Sequence, residues 1–269
     1  MKLSFSTLGC PHYDIGQIVD IAVANGYEGV EIRAVKGTVD IMSLDEFKGA
    51  GLQETAKKFK DAGLKVVCIG TSIKFCVADK AHQQETLESA KRIMEAARML
   101  DCEYIRTFGG PVPSTQGYLE TVKWIRQGHE LLCELGRDYD VCPLLETHDD
   151  FCASARVLEI INGLSGIGVV WDIANPLCYG ETIEDTYAAL KGYIKHTHIK
   201  DIDTIASRGS EPVLTGEGKV PIAGCLGLLK AGGYSGYLSF EWEKLWHPNI
   251  PGPEIALPHY AAYMRELMK

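Results

Sequence analysis

The chain has 269 residues, 46% of them apolar, with nine cysteines and a formal charge of −9. That length allows one large domain or two small ones, and the acidity argues against an extended phosphate-binding surface for nucleic acid. No apolar run approaches the ~18 residues of a membrane span, and the odd, unpaired cysteines read as reduced thiols of a cytoplasmic protein.

The first apolar run, Lys2–Thr7, reads as a buried strand and leaves no room for the core of a secretory signal. It is followed by Leu8-Gly9-Cys10-Pro11-His12, which lacks the glycine-rich turn expected after the first strand of a doubly wound sheet. Gly26, in Asn25-Gly26-Tyr27-Glu28-Gly29, reads as a left-handed helix cap before a second strand, Gly29–Arg33. Glu31 and Arg33 at its end are expected to pair with each other across the mouth. A third strand, Lys65–Gly70, precedes a helix over Gln84–Leu100, where Leu87, Ala90, Ile93, Met94, Ala97 and Leu100 share one face. The fourth strand, Tyr104–Phe108, carries Arg106 near its end, a candidate for touching substrate.

The second half repeats the pattern with a ligand-type residue on each strand. Val141–Thr147 carries Glu146, with His148 two residues on. Gly168–Asp172 ends in Asp172. Ile194–Lys200 holds His196, His198 and Lys200, and Tyr237–Trp242 holds Glu241. Charge at the end of a buried parallel strand is costly unless it faces a polar site. Between the last two strands lies Asp201–Pro221, the longest irregular stretch, a candidate lid or substrate-binding segment. Its Gly216-Glu217-Gly218 is weak evidence for phosphate binding, since turn geometry accounts for both glycines. Gly233 repeats the capping pattern of Gly26.

Strand–helix alternation in eight units predicts a (β/α)₈ barrel, a single domain over residues 1–269, with an open doubly wound sheet as the alternative. The loops after strands would form the active face. Adjacent strands lie about 4.8 Å apart, so Glu146, Asp172, His198 and Glu241 on strands 5 to 8 would converge on one divalent cation. A mostly carboxylate shell favours Mn²⁺, with Mg²⁺, Co²⁺ or Zn²⁺ also compatible. His198 is preferred to the deeper His196, and Glu241 to Glu243, which reaches the loop. His148 and Lys200 point the same way as Glu146 and His198, as substrate contacts or as partners of the ligands. Lys200 could instead pair with Asp201 or another loop acid. Trp171, Trp242 and Trp246 could wall a sugar ring, with core packing preferred for Trp171. Glu146 and Glu241 would flank a chelated substrate as a proton-transferring pair, one removing a proton beside a carbonyl and the other returning it, with the cation stabilising the enediolate.

At these residues the chain resembles the sugar-phosphate isomerase/epimerase superfamily, the xylose-isomerase-like TIM barrels. The resemblance runs from Phe5-Ser6-Thr7 and Gly26–Arg33 to Leu238-Ser239-Phe240-Glu241. Its most specific pieces are Glu146-Thr147-His148, the Asp172 strand, His196-Thr197-His198-Ile199-Lys200-Asp201 and Gly216-Glu217-Gly218. It implies the same Glu-Asp-His-Glu metal set, usually with Mn²⁺, and glutamates as the acid/base pair. The chain departs from the epimerases after Asp172. Ile173-Ala174-Asn175-Pro176-Leu177 lacks their further substrate-binding histidine, and too few histidines are available for an endonuclease-type zinc cluster.

The expectation is a metal-dependent isomerase or epimerase of a small keto-sugar or other polyhydroxy carbonyl compound. A dehydratase or lyase on a keto-polyol such as an inosose is the first alternative. A phosphodiesterase is disfavoured, and a non-catalytic, metal-containing sugar-binding barrel is the reading from another class. The expected partner is a small sugar or polyol, without nucleic acid or membrane; homo-oligomerisation is left open.

Overall fold

A computed structural model describes residues 1–206 and 209–269. Eight parallel strands close into a barrel: β1 (Lys2–Ser6), β2 (Gly29–Ile32), β3 (Lys65–Lys74), β4 (Tyr104–Phe108), β5 (Cys142–Glu146), β6 (Gly168–Asp172), β7 (Ile194–Ile199) and β8 (Tyr237–Phe240). Each pairs with its sequence neighbour, and β1 pairs with β8 to complete the ring. The helices that follow the strands are α1 (Ile15–Ala24), α2 (Gly49–Asp61), α3 (Lys80–Met99), α4 (Tyr118–Tyr139), α5 (Ser154–Ile161), α6 (Ile183–Leu190), α7 (Ile222–Ala231) and α8 (Pro253–Leu267). The (β/α)₈ expectation is met and the open sheet is excluded. No described helix is long and apolar enough to cross a membrane.

Local chemistry explains the boundaries. Asp14 and Gln17 form a reciprocal capping box at the start of α1. α3 begins four residues before the expected Gln84 because the Asp79 side chain accepts from the amides of Ala81 and His82. Gly26 (φ +62°) and Gly233 (φ +75°) are left-handed as expected. Behind them, Tyr27 N donates to Ala22 O at 3.0 Å and Tyr234 N to Leu229 O at 2.9 Å, closing both helix ends. β3 runs past the expected Gly70 to Lys74, with a register shift between those residues. There the Thr71 hydroxyl donates to Arg106 O and accepts from Ile73 N, so a polar stretch still satisfies its backbone.

The loop expected as a lid contains a short antiparallel pair, Asp201–Ile202 with Pro212–Val213. Residues 207–208 of that loop lie outside the described residues. The tryptophans do not form the expected wall together. Trp171 is buried, Trp242 is buried against Phe240 with its Nε1 donating to Pro251 O, and Trp246 is more than half exposed.

The helix layer packs closely enough to require glycine at Gly128 on α4. A Cβ there would fall 2.1 Å from Cγ of Phe75. Gly128→Ala gains helix propensity but forces that ring to move, and overpacking costs roughly 1–3 kcal/mol. The expected outcome is a net loss of stability in chemical denaturation; an unchanged or raised midpoint would contradict this packing.

Candidate metal centre

The strand register places the ligand-type residues at the C-terminal mouth. Asp172 on β6 lies directly opposite His198 on β7, and Glu146 on β5 opposite Val170, two residues before Asp172. Ser239 on β8 pairs with His198, so Glu241, two residues further on, shares its inward face. Glu241 stands just past β8, and its amide still donates to Ile199 O at 3.0 Å.

One potential ligand atom from each of Glu146, Asp172, His198 and Glu241 lies within 4.8 Å of the others. All four residues are buried. His198 Nδ1 is 2.9 Å from Glu146 Oε1 and 3.1 Å from Glu241 Oε1. Glu146 Oε2 and Asp172 Oδ2 are buried and make no well-aligned hydrogen bond, though each lies within ion-pair reach of a cation, Arg106 at 3.3 Å and Lys200 at 2.9 Å. Three carboxylates and one imidazole brought this close together fit a divalent cation. Glu146 and Glu241 converge on one imidazole nitrogen here, rather than standing apart on either side of a gap.

The other nitrogen of His198 defines a role that the strand pattern did not reveal. Nε2 lies 2.8 Å from Glu31 Oε2, which also lies 2.8 Å from His196 Nε2. Glu31 therefore pairs with the two histidines, not with Arg33 as expected. Donation from Nε2 to Glu31 leaves Nδ1 as the nitrogen facing the carboxylates and locks the ring's orientation. The signal for this was faint. Glu31 ends β2, which is remote from β7 in sequence and comes opposite it only when the barrel closes.

Opposite charges hold the cluster together. Burial pushes the Glu31 carboxyl up, but the two histidines outweigh it and hold it well below the usual range. Burial likewise works against charge on His198, yet Glu241, Glu31 and Glu146 raise its pKa well above the ordinary value. For Glu146, Arg106 and His198 overcome burial and lower the pKa; for Glu241, His198 and Lys200 do so. Asp172 goes the other way: burial, aided by Glu241 and Glu146 against the pull of Lys200, raises it to about 6.

The remaining candidates are distributed around this cluster. Arg106 Nη1 lies 3.3 Å from Glu146 Oε2, and its guanidinium stacks 4.0 Å from the centre of Phe108. His148 packs on Phe108 at the mouth and pairs with Asp149 at 3.0 Å. Lys200 Nζ bridges Asp172 (2.9 Å), Glu241 (3.1 Å) and Glu243 (2.8 Å) rather than Asp201. Asp201 instead fills the following loop, accepting from the amides of Gly216 (2.8 Å), Gly218 (2.9 Å), Val220 and Ile202. The Gly216 and Gly218 amides are thus occupied by an internal carboxylate, and the Glu217 amide by Leu214 O.

The xylose isomerase-like TIM barrel family matches residues 19–267. An inosose isomerase of Halalkalibacterium halodurans is 26% identical over 234 residues, covering 81% of this chain and 78% of the relative. Two solved structures share the fold. The probable 3-DHS dehydratase AsbF of Bacillus anthracis, involved in petrobactin synthesis, superposes with a TM-score of 0.78 at 22% identity, covering 100% of this chain and 99% of its own. The IOLI protein with a bound zinc atom gives 0.79 at 20% identity, covering 100% and 96%.

Two outcomes are expected for cation binding. Glu31→Gln should weaken it about 10- to 100-fold, the usual effect of losing a ligand's orienting partner; calorimetric titration with Mn²⁺ reads this directly, and unchanged affinity would remove Glu31 from the role. Affinity should also fall as the pH drops through about 6, because the proton that Asp172 then binds competes with the cation. A flat affinity between pH 7.5 and 5 would contradict this.

Proposed function

We propose, starting from the fact that the chain belongs to the xylose isomerase-like TIM barrel family, that it is a cytoplasmic, metal-dependent isomerase or epimerase of a small keto-sugar or related polyhydroxy carbonyl compound. The observation that carries this reading is the convergence of Glu146, Asp172, His198 and Glu241 at the barrel mouth. Those four residues would hold the cation, with Mn²⁺ as the proposed ion. A bound divalent cation supplies Lewis-acid polarisation of a carbonyl and its neighbouring hydroxyl. The inosose isomerase relative supports the assignment to this reaction class.

The chain's own residues supply the proton chemistry. Glu146 and Glu241 are both held ionised by cationic neighbours, the state that a general base requires. One carboxylate removes the proton from the carbon beside the carbonyl; the other, having first taken a proton from solvent, returns it to the resulting enediol, and the first then releases its own proton to solvent. Arg106 fixes the Glu146 carboxylate from below, and His198 sits between the two glutamates. His148, Lys200 and Arg106 border the same mouth as substrate contacts.

Lys200 supports a second reading, dehydration. Burial opposes its charge, but Asp172, Glu243 and Glu241 hold the ammonium firmly protonated. A buried ammonium 3.1 Å from a carboxylate base is an acid beside a base. A glutamate would take the α-proton, the C–H electron pair would form the double bond, and the β-hydroxyl would leave as water with the proton of Lys200.

Each of Glu146→Gln and Glu241→Gln should lower turnover by about 10²- to 10⁴-fold while the fold persists. Incorporation of solvent deuterium beside the carbonyl checks the scheme: turnover without exchange in either substrate or product would sink it. Growth of conjugated-carbonyl absorbance would identify dehydration. In that case Lys200→Met should abolish water loss while α-carbon exchange survives.

A further inference from the structure

The mouth is electrically divided. The four ligand-type residues lie on β5 to β8, whereas two buried arginines, Arg33 just after β2 and Arg106 on β4, lie on the β2–β4 side beside Glu31. Arg33 is only 6% exposed and Arg106 only 2%. Because Glu31 is turned to His196 and His198, Arg33 is left without it. Among the described residues, no carboxylate oxygen lies within 4.0 Å of the Arg33 guanidinium nitrogens. Its Nη2 donates to Ser72 Oγ at 3.0 Å, but Nη1 has no acceptor, and neither does Arg106 Nε. A buried guanidinium with unfilled donors carries a desolvation cost that an incoming acceptor relieves.

Gly70 on β3 makes the space shared. Arg106 is its direct register partner, and a Cβ at Gly70 would meet both Arg106 Nη2 and Arg33 Cδ at 3.0 Å. Any side chain here would displace the two arginines, which pack directly over the bare glycine. The Arg106 guanidinium also lies over the Phe108 ring, 4.0 Å from its centre.

We propose that Arg33 and Arg106 form a carboxylate-binding subsite, so that the substrate is a keto acid bearing hydroxyls rather than a neutral ketose. This deepens the isomerase reading and rests on it for the identity of the mouth as the substrate site. The substrate would span the charge division, with its carbonyl and hydroxyl toward Glu146, Asp172, His198 and Glu241 and its carboxylate toward the arginines. Arg33 Nη1 and Arg106 Nε are the donors left for a carboxylate, since Arg33 Nη2 already holds Ser72 and Arg106 Nη1 faces Glu146. A phosphate dianion fits less well because Glu31 Oε1, also unpartnered, lies 3.3 Å from the same Gly70 Cβ position, and Glu146 borders Arg106. The loop amides after β7, which could have held a phosphate, are already taken by Asp201.

The test is calorimetric titration of the whole protein, Mn²⁺-loaded and chelated, with 5-keto-D-gluconate, D-fructose and D-fructose 6-phosphate. The loaded protein should bind the keto acid at least about tenfold more tightly than fructose, and more tightly than the sugar phosphate; about tenfold corresponds to 1.4 kcal/mol. The preference for acid over fructose should persist in chelated protein. Arg33→Gln should abolish that preference with fructose affinity unchanged, and Arg33→Lys should retain part of it. Circular dichroism establishes folding, and the lysine variant alone decides if the glutamine variant does not fold: an affinity for the keto acid equal to wild type would then count against the subsite. Equal binding of acid and fructose, tighter binding of the phosphate, absence of keto-acid binding, or indifference to Arg33→Gln would overturn the proposal. Failure of the isomerase reading looks different: the acid preference remains, but Mn²⁺-loaded protein exchanges no solvent deuterium into any bound keto compound.

Discussion

A buried carboxylate must have a cation or donor beside it, and the arrangement of this barrel mouth follows from that requirement. Glu31, Glu146, Asp172 and Glu241 are all removed from water within one ring of strands. His198 is their common neighbour, touching Glu31 with one nitrogen and both Glu146 and Glu241 with the other. Lys200 and Arg106 close the periphery. Asp172 receives the least compensation, which is why burial raises its pKa while its neighbours fall. Glu146 Oε2 and Asp172 Oδ2 are each buried and each met by one ion pair, from Arg106 at 3.3 Å and Lys200 at 2.9 Å.

The strand frame makes that arrangement rigid. The closing pair of β1 with β8 brings β2 round to face β7, which is how Glu31 reaches a histidine 167 residues away. Rigidity matters chemically because a carboxylate held in place loses little on reorganisation when charge moves in the substrate. The loop after β7 is stiffened by the same logic. Asp201 accepts four backbone amides, so its charge is spent on building the loop rather than on Lys200. Lys200 is thereby free to lean over Asp172 and Glu241.

Division of charge across the mouth is a consequence of the same pairing rules. Glu31 could serve Arg33 or the histidines, and it serves the histidines. The two buried arginines are left on the β2–β4 side of the mouth.

Much of this was legible in the chain itself. Buried parallel strands are short apolar runs, and the surrounding helices repeat every 3.6 residues, so eight β/α units and their order could be read locally. Glu146, Asp172, His198 and Glu241 stood out because charge at the end of an apolar run is costly, and the capping glycines Gly26 and Gly233 because left-handed backbone favours them. The extension of β3 was hidden, since a hydroxyl-rich stretch looks like a loop until Thr71 finds its acceptor on β4. Which partner each charge takes was not readable at all. Pairings such as Glu31 with His198, Lys200 with Asp172 and Asp201 with its loop depend on distances created only when the ring closes, and electrostatic attraction acts on those distances, not on separation along the chain.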